Sequence, residues 1–464
     1  MPVSIKFLGG VRTVTGSSHL VSVDRNEVLL DAGLFQGRRD DFYAVNSTFH
    51  YNPRQLNAMV LSHAHIDHSG NIPVVIKNGM RCKIYTTSAT RDLCRLMLED
   101  SGKIQEEDIR YVNKINRKLG LGLRNPLYTR KEASKATRKF HPLSYGQRFC
   151  VARNFFATLY DAGHILGSAI IVLDIKDGDT AVRLGYAVDL GRKHLPLLND
   201  PVIPKGLDYL ILETTYGGRF HAPIEEAQGC LGDAINRTVN RKGKILIPSF
   251  TLERTQEVLY FLNELLKKKA IPSIPIYVDS PLATDITDVF KAQLSYMNEA
   301  TRQAIEQGES PFEFLNLTFI RDQEKSKRLN VDKRPMIIIA GGGMCESGRI
   351  LHHLKNNIEE SRNTILVVGY MAENTLGKRI VDRARIVRIY GVEYELNAEV
   401  VVINSISGHA DKNGLLDFVN GCLPLKKVFL VHGDLGQSQE LMNALVERGV
   451  DAVIPEKDEE VILN

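Results

Sequence analysis

The stretch Ser62-His63-Ala64-His65-Ile66-Asp67-His68-Ser69-Gly70 decides how this chain of 464 residues is read. It follows Asn57-Ala58-Met59-Val60-Leu61, whose apolar end reads as a buried strand running into a loop. Four metal-ligand side chains stand within six residues. His63 and His65 are two apart, so in a near-extended chain both imidazoles point the same way and can share one ion. Asp67 and His68 are adjacent, point differently, and can serve a second ion beside the first. Imidazole and carboxylate without thiolate suit zinc in an open catalytic site better than in a closed structural one. The bland alternative is a polar loop that carries histidines by accident. With 13 histidines in 464 residues, so dense a pattern argues against it.

Working outward, 43% apolar and 25% charged residues describe a globular chain, and its length suits two domains. No apolar run approaches the ~20 residues that span a bilayer. Met1-Pro2-Val3-Ser4-Ile5-Lys6 enters strand-like sequence directly, without a signal-peptide pattern. The six cysteines are scattered and form no CxxC pair, which implies a reducing, cytoplasmic setting and no cysteine zinc site. Net charge is a mild +4, but from Lys103 to Lys139 eleven basic side chains face four acidic ones, a local net charge of +7. Such a stretch either draws a nucleic-acid backbone or is a solvated helical face.

Upstream of the histidine stretch, Ile5–Gly10, Ser18–Val23 and Val28–Asp31 read as an antiparallel meander. Asp31 closes the third strand, where a carboxylate can fix the tautomer of a ligand histidine from behind. His19, inside an alternating strand, reads as a hydrogen-bonded core histidine and not a ligand. Downstream, residues 89–118 and 131–139 have helical spacing. Thr129 is the expected N-cap of the second helix, with Glu132 completing a capping box. Strands resume at Phe155–Leu159 and run into Asp161-Ala162-Gly163-His164-Ile165-Leu166-Gly167-Ser168, where His164 supplies a candidate third ligand for the ion held by His63 and His65. Arg183–Asp189 is again a strand ending in a carboxylate, and the two oxygens of Asp189 can bridge two ions.

From about residue 216 to 400 helices alternate with short apolar strands at 244–248, 276–279, 336–340 and 364–368, the mark of a parallel sheet under helical covers. Each strand ends in a polar or glycine turn: Ser249-Phe250-Thr251, Ser280-Pro281-Leu282-Ala283, Gly341-Gly342-Gly343-Met344 and Gly369-Tyr370-Met371. Such turns are the usual ligand positions of parallel sheets. The last segment returns to strand-end histidines, with Ser407-Gly408-His409-Ala410-Asp411 and then Val428-Phe429-Leu430-Val431-His432-Gly433. Six of the 13 histidines (63, 65, 68, 164, 409 and 432) thus sit at strand ends beside Gly, Ser or Asp, a recurrence that favours one shared site.

His63-Ala64-His65-Ile66-Asp67-His68 matches the HxHxDH signature of the metallo-β-lactamase superfamily. Thr15–His19, Asp31-Ala32-Gly33, Ala162–Ser168, Glu213–Gly217, Asp279–Ala283, Ser407–Asp411 and Val431-His432-Gly433 resemble the β-CASP branch, the nucleic-acid-processing nucleases that include the pre-mRNA cleavage endonuclease and ribonuclease J. The resemblance covers essentially the whole chain. It implies an α/β fold, a metallo-β-lactamase αββα sandwich with an inserted β-CASP domain: residues 1–215 as the first part of the sandwich, 216–400 as the insertion, 401–464 as the return. It also implies two Zn2+, one on His63, His65 and His164, the other on Asp67, His68 and His432, with Asp189 between them. Glu213, His409 and His432 match the branch's three acidic and histidine motifs. Histidine at the third resembles the RNA-processing members, whereas DNA-processing relatives generally carry valine. Met371 stands where many relatives have glutamine, and Glu253 where glycine is frequent. No nucleic-acid-binding domain is expected ahead of the catalytic part.

The activity expected from this resemblance is hydrolysis of RNA phosphodiester bonds, by endonuclease or 5′-to-3′ exonuclease action. Asp67 anchors the metal chemistry. His409, cationic and oriented by Glu213, is the expected acid at the leaving oxygen, and Asp31 supports from behind the ligands. The expected partner is single-stranded RNA in a cleft between the domains, with Arg254, Lys378, Arg379 and the Lys103–Lys139 stretch on its walls. No membrane is expected, and a homodimer is a further expectation. A DNA nuclease shares every ligand and is opposed mainly by His432. A small-molecule metallohydrolase shares the ligands but needs no insertion of this size, and a non-catalytic RNA-binding subunit usually has eroded ligands.

Overall fold

The meander of residues 3–31 forms as Val3–Gly9, Ser18–Val23 and Asn26–Leu30, paired antiparallel in that order. The computed structural model describes residues 2–37, 39–178, 180–369 and 371–464, so Tyr370 of the Gly369-Tyr370-Met371 turn lies outside the described residues. The meander continues through parallel strands Ala58–Val60, Ile84–Thr86 and Phe140–Pro142. Glu460–Leu463 closes its other edge against Val3–Gly9, giving seven strands. A second seven-stranded sheet has the order Ala452–Val453, Lys427–Val431, Tyr209–Glu213, Thr180–Ala187, Ala169–Asp177, Phe155–Asp161, Arg148–Ala152. The last sixty residues therefore contribute strands to both sheets.

Strand side chains alternate between faces, and the inward sets meet. Ile5, Phe7, Val21 and Val28 of the first sheet pack with Phe155, Leu173, Leu184, Ile211 and Phe429 of the second in one buried core. The outer face of the second sheet is covered by helices Lys412–Cys422 and Leu435–Val446 through Leu415, Phe418, Leu441 and Leu445. On the first sheet's side, helix Ser88–Leu119 packs against helix Arg130–Ala136 and edge strand Phe140–Pro142. Thr87 caps the long helix by accepting from Thr90 N, and Gly120 ends it at φ 68°. Thr129 and Glu132 form the expected capping box, but the α-helix ends at Ala136 and the remaining residues to Lys139 tighten into a 3-10 turn.

The chain divides into two compact units, residues 1–194, 199–220 and 408–464 in one, 195–198 and 221–407 in the other. The limits lie several residues beyond the expected 215/216 and 400/401. Residue 400 falls inside strand Glu399–Ile403, which pairs with Thr364–Val368 and so belongs to the second unit. That unit is built on a six-stranded sheet, all of whose pairs are parallel, in the order Leu317–Phe319, Ile276–Asp279, Ile337–Gly341, Ile245–Ser249, Thr364–Val368, Glu399–Ile403. Its four central strands are those read from the sequence. Leu246, Ile338, Ile365 and Val367 pack with Ile350 and Leu354 of helix Arg349–Asn357 in its core. Among the described residues no helix is long and apolar enough to cross a membrane.

Candidate metal centre

His63, His65, Asp67 and His68 emerge from the end of strand Ala58–Val60 into the short helix Ile66–Ser69, as a strand-to-loop transition requires. The loop is fixed from behind by Asp31. Its Oδ1 accepts from Ser62 N at 2.7 Å, and its Oδ2 lies 2.7 Å from Ser62 Oγ, 2.8 Å from His68 Nδ1 and 2.9 Å from Tyr186 Oη. Donation of Nδ1–H to this carboxylate leaves Nε2 of His68 as a lone pair facing forward. Ser62 Oγ in turn contacts His63 Nδ1 at 2.9 Å, which leaves Nε2 of His63 facing the same space.

Two donor groups converge there. In one, His65 Nδ1 lies 3.1 Å from His63 Nε2 and 3.2 Å from His164 Nε2, and Asp189 Oδ2 lies 3.2, 3.8 and 3.3 Å from the His63, His65 and His164 nitrogens. In the other, His68 Nε2 lies 3.1 Å from His432 Nε2 and 4.0 Å from Asp67 Oδ2, which is 3.5 Å from His432. Asp189 Oδ1 faces this second group, 3.4 Å from His68 Nε2 and 3.0 Å from His432 Nδ1. The bonds of ~2.0–2.2 Å typical of tetrahedral zinc set ligand atoms roughly 3.3–3.6 Å apart. The observed separations are of that size, and the donors are all imidazole nitrogen or carboxylate oxygen. Asp189 Oδ1 is buried and, among the described residues, has no hydrogen-bond partner. A buried carboxylate oxygen among imidazole lone pairs is stabilised by a cation, so the residues fit a zinc centre.

Electrostatics separates the two groups. Burial pulls His63 down to about 4, with His68 adding to the effect, and burial likewise holds His164 well below its ordinary value. Both are neutral and ready to ligate. Burial also works against charge on His68 and His432, but the Asp189 carboxylate outweighs it, raising His68 well above its ordinary value and His432 to about 10. Asp189 and Asp67 are held low against their own burial, Asp189 chiefly by His432 and His68, Asp67 by a hydrogen bond from His432. The carboxylates of Asp67 and Asp189 thus give the second group a negative charge that a bound cation would balance.

His409 lies beside this array. Its Nδ1 is 3.2 Å from both oxygens of Glu213, and its ring is 4.5 Å from that of His164. Glu213 is fully buried and accepts from Leu190 N at 2.5 Å and Thr215 N at 3.3 Å. It also comes within 4.8 Å of Asp189 and His432 donor atoms, a proximity not foreseen from the sequence. Burial opposes charge on His409, yet the Glu213 carboxylate, helped by Asp189, raises its pKa. Most of these groups are sealed, at 3% exposure or less. Asp67, His65 and His409 are 25, 29 and 21% exposed and form the accessible lip.

Three of the array's members occupy left-handed backbone: Asp31 at φ 59° and His432 at 48°, each immediately after a strand, and Asp189 at 54°, two residues past the end of strand Thr180–Ala187. Asp and His tolerate this conformation better than most residues, so it turns these side chains toward the array at modest cost. His19 is a core residue as expected, but it is not hydrogen-bonded. Among the described residues neither ring nitrogen has a hydrogen-bond partner, the ring is edge-on to Phe7 and Tyr186, and burial lowers its pKa to about 3. Of the expected basic wall residues, Arg254 is tied to Glu257 at 2.7 Å and Lys378 to Asp382 at 2.6 Å.

Sheet sandwich, histidine array and lip together define a metal-dependent hydrolase. Family models match as a Metallo-beta-lactamase superfamily domain over residues 20–201, a Beta-Casp domain over 255–380 and a Zn-dependent metallo-hydrolase RNA specificity domain over 393–455. Ribonuclease TTHA0252 of Thermus thermophilus is 35% identical over 95% of this chain and 95% of its own length. Transcription termination factor FttA of Pyrococcus abyssi is 31% identical over 96% of this chain and 68% of its own length. A crystal structure of a protein of unknown function from Enterococcus faecalis shares the fold, with a TM-score of 0.57 at 14% identity over the whole of both chains. The chain belongs to the β-CASP family of the metallo-β-lactamase superfamily.

Proposed function

We propose that the chain is a zinc-dependent ribonuclease that hydrolyses phosphodiester bonds of single-stranded RNA. In this reading His63, His65 and His164 hold one Zn2+, Asp67, His68 and His432 hold a second, and Asp189 lies between them. The observation that carries it is the convergence of these seven donors on two adjacent foci with no thiolate among them. When bound, the ions supply Lewis-acid polarisation of a phosphate and acidification of water.

The chain's own residues supply the rest. Asp31 and Ser62 hold the rings of His68 and His63 so that their free nitrogens face forward. His409, protonated through Glu213 and partly exposed, delivers a proton to the leaving ribose oxygen. Glu213 keeps that ring oriented while its backbone hydrogen bonds keep the carboxylate in place. The RNA specificity match over 393–455 and the ribonuclease relative support RNA over DNA. Ile104, Tyr111, Ile115 and Leu119 form an exposed apolar stripe on helix Ser88–Leu119. Glu106, Glu107 and Asp108 precede Lys114, Arg117 and Lys118 along it, so an antiparallel second copy would pair acid with base. This stripe is the homodimer surface of the proposal, and light scattering on Ile115→Glu tests it.

The deciding experiment follows 5′-end-labelled single-stranded RNA through digestion by zinc-loaded protein, beside Asp67→Ala. Internal fragments absent from the variant define an endonuclease, and labelled mononucleotide defines a 5′ exonuclease. Intact RNA together with cleaved DNA would overturn the reading.

A further inference from the structure

In the second unit, strand Ile245–Ser249 is buried at every position, yet the next residue, Phe250, has 44% of its surface exposed. Its backbone is firmly held: the Phe250 carbonyl accepts from Thr255 Oγ1 at 2.7 Å, Ser249 Oγ at 3.1 Å and Thr255 N at 3.2 Å. The ring lies flush against Gly343, where a Cβ would come within 2.8–2.9 Å of three of its carbons. A glycine at 343 is therefore a condition for the ring's position. An exposed aromatic side chain so fixed has already lost the conformational freedom that binding would otherwise remove.

Topology says what the position is for. Ile245–Ser249 and Ile337–Gly341 are hydrogen-bonded parallel neighbours. The chain leaves the first toward Ile276–Asp279 and the second toward Thr364–Val368, in opposite directions across the sheet. Right-handed crossovers then place the two following helices on opposite faces. The carboxyl ends of this strand pair are thus a topological switch point, where open α/β sheets bind ligands, and the loops there are Phe250-Thr251 and Gly341–Gly343. The nearby guanidinium of Arg254 is committed to Glu257, so the feature offered is a flat ring, not a free positive charge.

From this geometry we infer that Phe250 is a stacking platform for one unpaired nucleobase of the bound strand. The inference rests on the ribonuclease reading and adds a base contact that the metal centre cannot supply. Stacking of a base on an aromatic ring tolerates every base and strengthens single-strand binding roughly tenfold to a hundredfold.

The chain contains no tryptophan, so Phe250→Trp installs a single reporter at the platform. Zinc-loaded Phe250→Trp protein is titrated with a fluorescein-labelled, phosphorothioate-linked oligoadenylate ten nucleotides long, which resists cleavage, following tryptophan emission and fluorescein anisotropy together. The expected result is quenching that saturates with the anisotropy change and is lost with an abasic strand of equal length. Phe250→Ala should bind the same strand about tenfold or more weakly, and Phe250→Tyr should restore binding. If the strand binds while tryptophan emission stays constant and Phe250→Ala binds like the native chain, the platform is wrong and the ribonuclease reading stands. If native protein neither binds nor cleaves RNA, the ribonuclease reading falls and the platform falls with it.

Discussion

Each unit of this protein contains a buried aspartate at a strand end that holds a histidine and a serine, and only one of the two makes a site. In the first unit Asp31 holds His68 at 2.8 Å and Ser62 at 2.7 Å. In the second, Asp279 holds His353 at 2.7 Å and Ser326 at 2.5 Å, with Arg349 Nη1 also at 2.5 Å. All four Asp and His side chains are 0% exposed. The difference is what the far nitrogen of each ring meets. His353 Nδ1 is closed off by Asn330 Oδ1 at 2.9 Å, and Arg349 neutralises the carboxylate. His68 Nε2 instead faces His432, Asp189 and Asp67, an assembly short of positive charge. A buried Asp–His pair is a structural rivet when its second nitrogen is satisfied, and it offers a donor to a metal when that nitrogen faces other donors, as His68 does in the proposed centre.

The sharpest test replaces each histidine. His68→Ala should lose zinc and at least roughly a thousandfold in turnover, since several kcal/mol of charge stabilisation depend on the ions it would hold. His353→Ala should retain zinc and turnover and instead lower the melting temperature, because Asp279 and Asn330 each lose a buried partner, at about 1–3 kcal/mol apiece. Equal zinc loss in both variants would erase the distinction. Next in size is His409, whose ring the Glu213 carboxylate orients. His409→Ala should keep its zinc and its fold and lose about 10²- to 10⁴-fold in turnover. Unchanged turnover would remove the acid role.

The aspartates themselves should separate in the same way, with smaller effects. Asp31→Asn should weaken zinc binding about 10- to 100-fold by unfixing the His68 tautomer. Asp279→Asn should leave zinc affinity alone and alter acid stability. Burial pushes the Asp279 pKa up, but hydrogen bonds from His353, Ser326 and Arg349 hold it below the ordinary 3.8. A depressed folded pKa contributes stability above the ordinary value and loses it as the pH falls through the lower folded one. The native chain should therefore lose stability over that acidic window more steeply than Asp279→Asn, as melts from pH 5 to pH 2 would record.

The candidate members of the open array could be picked out because they follow short-range rules, while their grouping around two ions came from the resemblance to the family. The two-residue spacing of His63 and His65, carboxylates just past strands at Asp31 and Asp189, and strand-end histidines beside glycine are all local patterns. The parallel sheet of the second unit was legible from its four central strands. Its edge strand Leu317–Phe319 was not, because three residues carry too little periodicity. The closed rivet was equally hidden. Asp279, Ser326, Asn330 and His353 span 75 residues, and no local pattern joins them; only folding places them together. For the same reason the unbonded state of His19 could not be read, since an alternating strand reveals which face is buried but not which atoms meet there.

Backbone strain extends the comparison, with the smallest expected effect. In the first unit three of the left-handed residues, Asp31, Asp189 and His432, belong to the array, so glycine at any of them would relax the chain and remove a side chain of the proposed site. In the second unit Glu253 has φ 65° and ψ −58°, and Arg254 N donates to Leu252 O at 2.9 Å. That is a γ-turn of the rare, strained hand. Strain of this kind is of order 1–3 kcal/mol, while glycine gives back roughly 0.5–1 kcal/mol in unfolded-chain entropy. Glu253→Gly should therefore stabilise the protein by about 1 kcal/mol, a rise of a few degrees in the melting temperature, with zinc content unchanged. A fall in melting temperature would mean that the buried Glu253 side chain contributes more than its backbone loses, and that strain in the second unit is as purposeful as in the first.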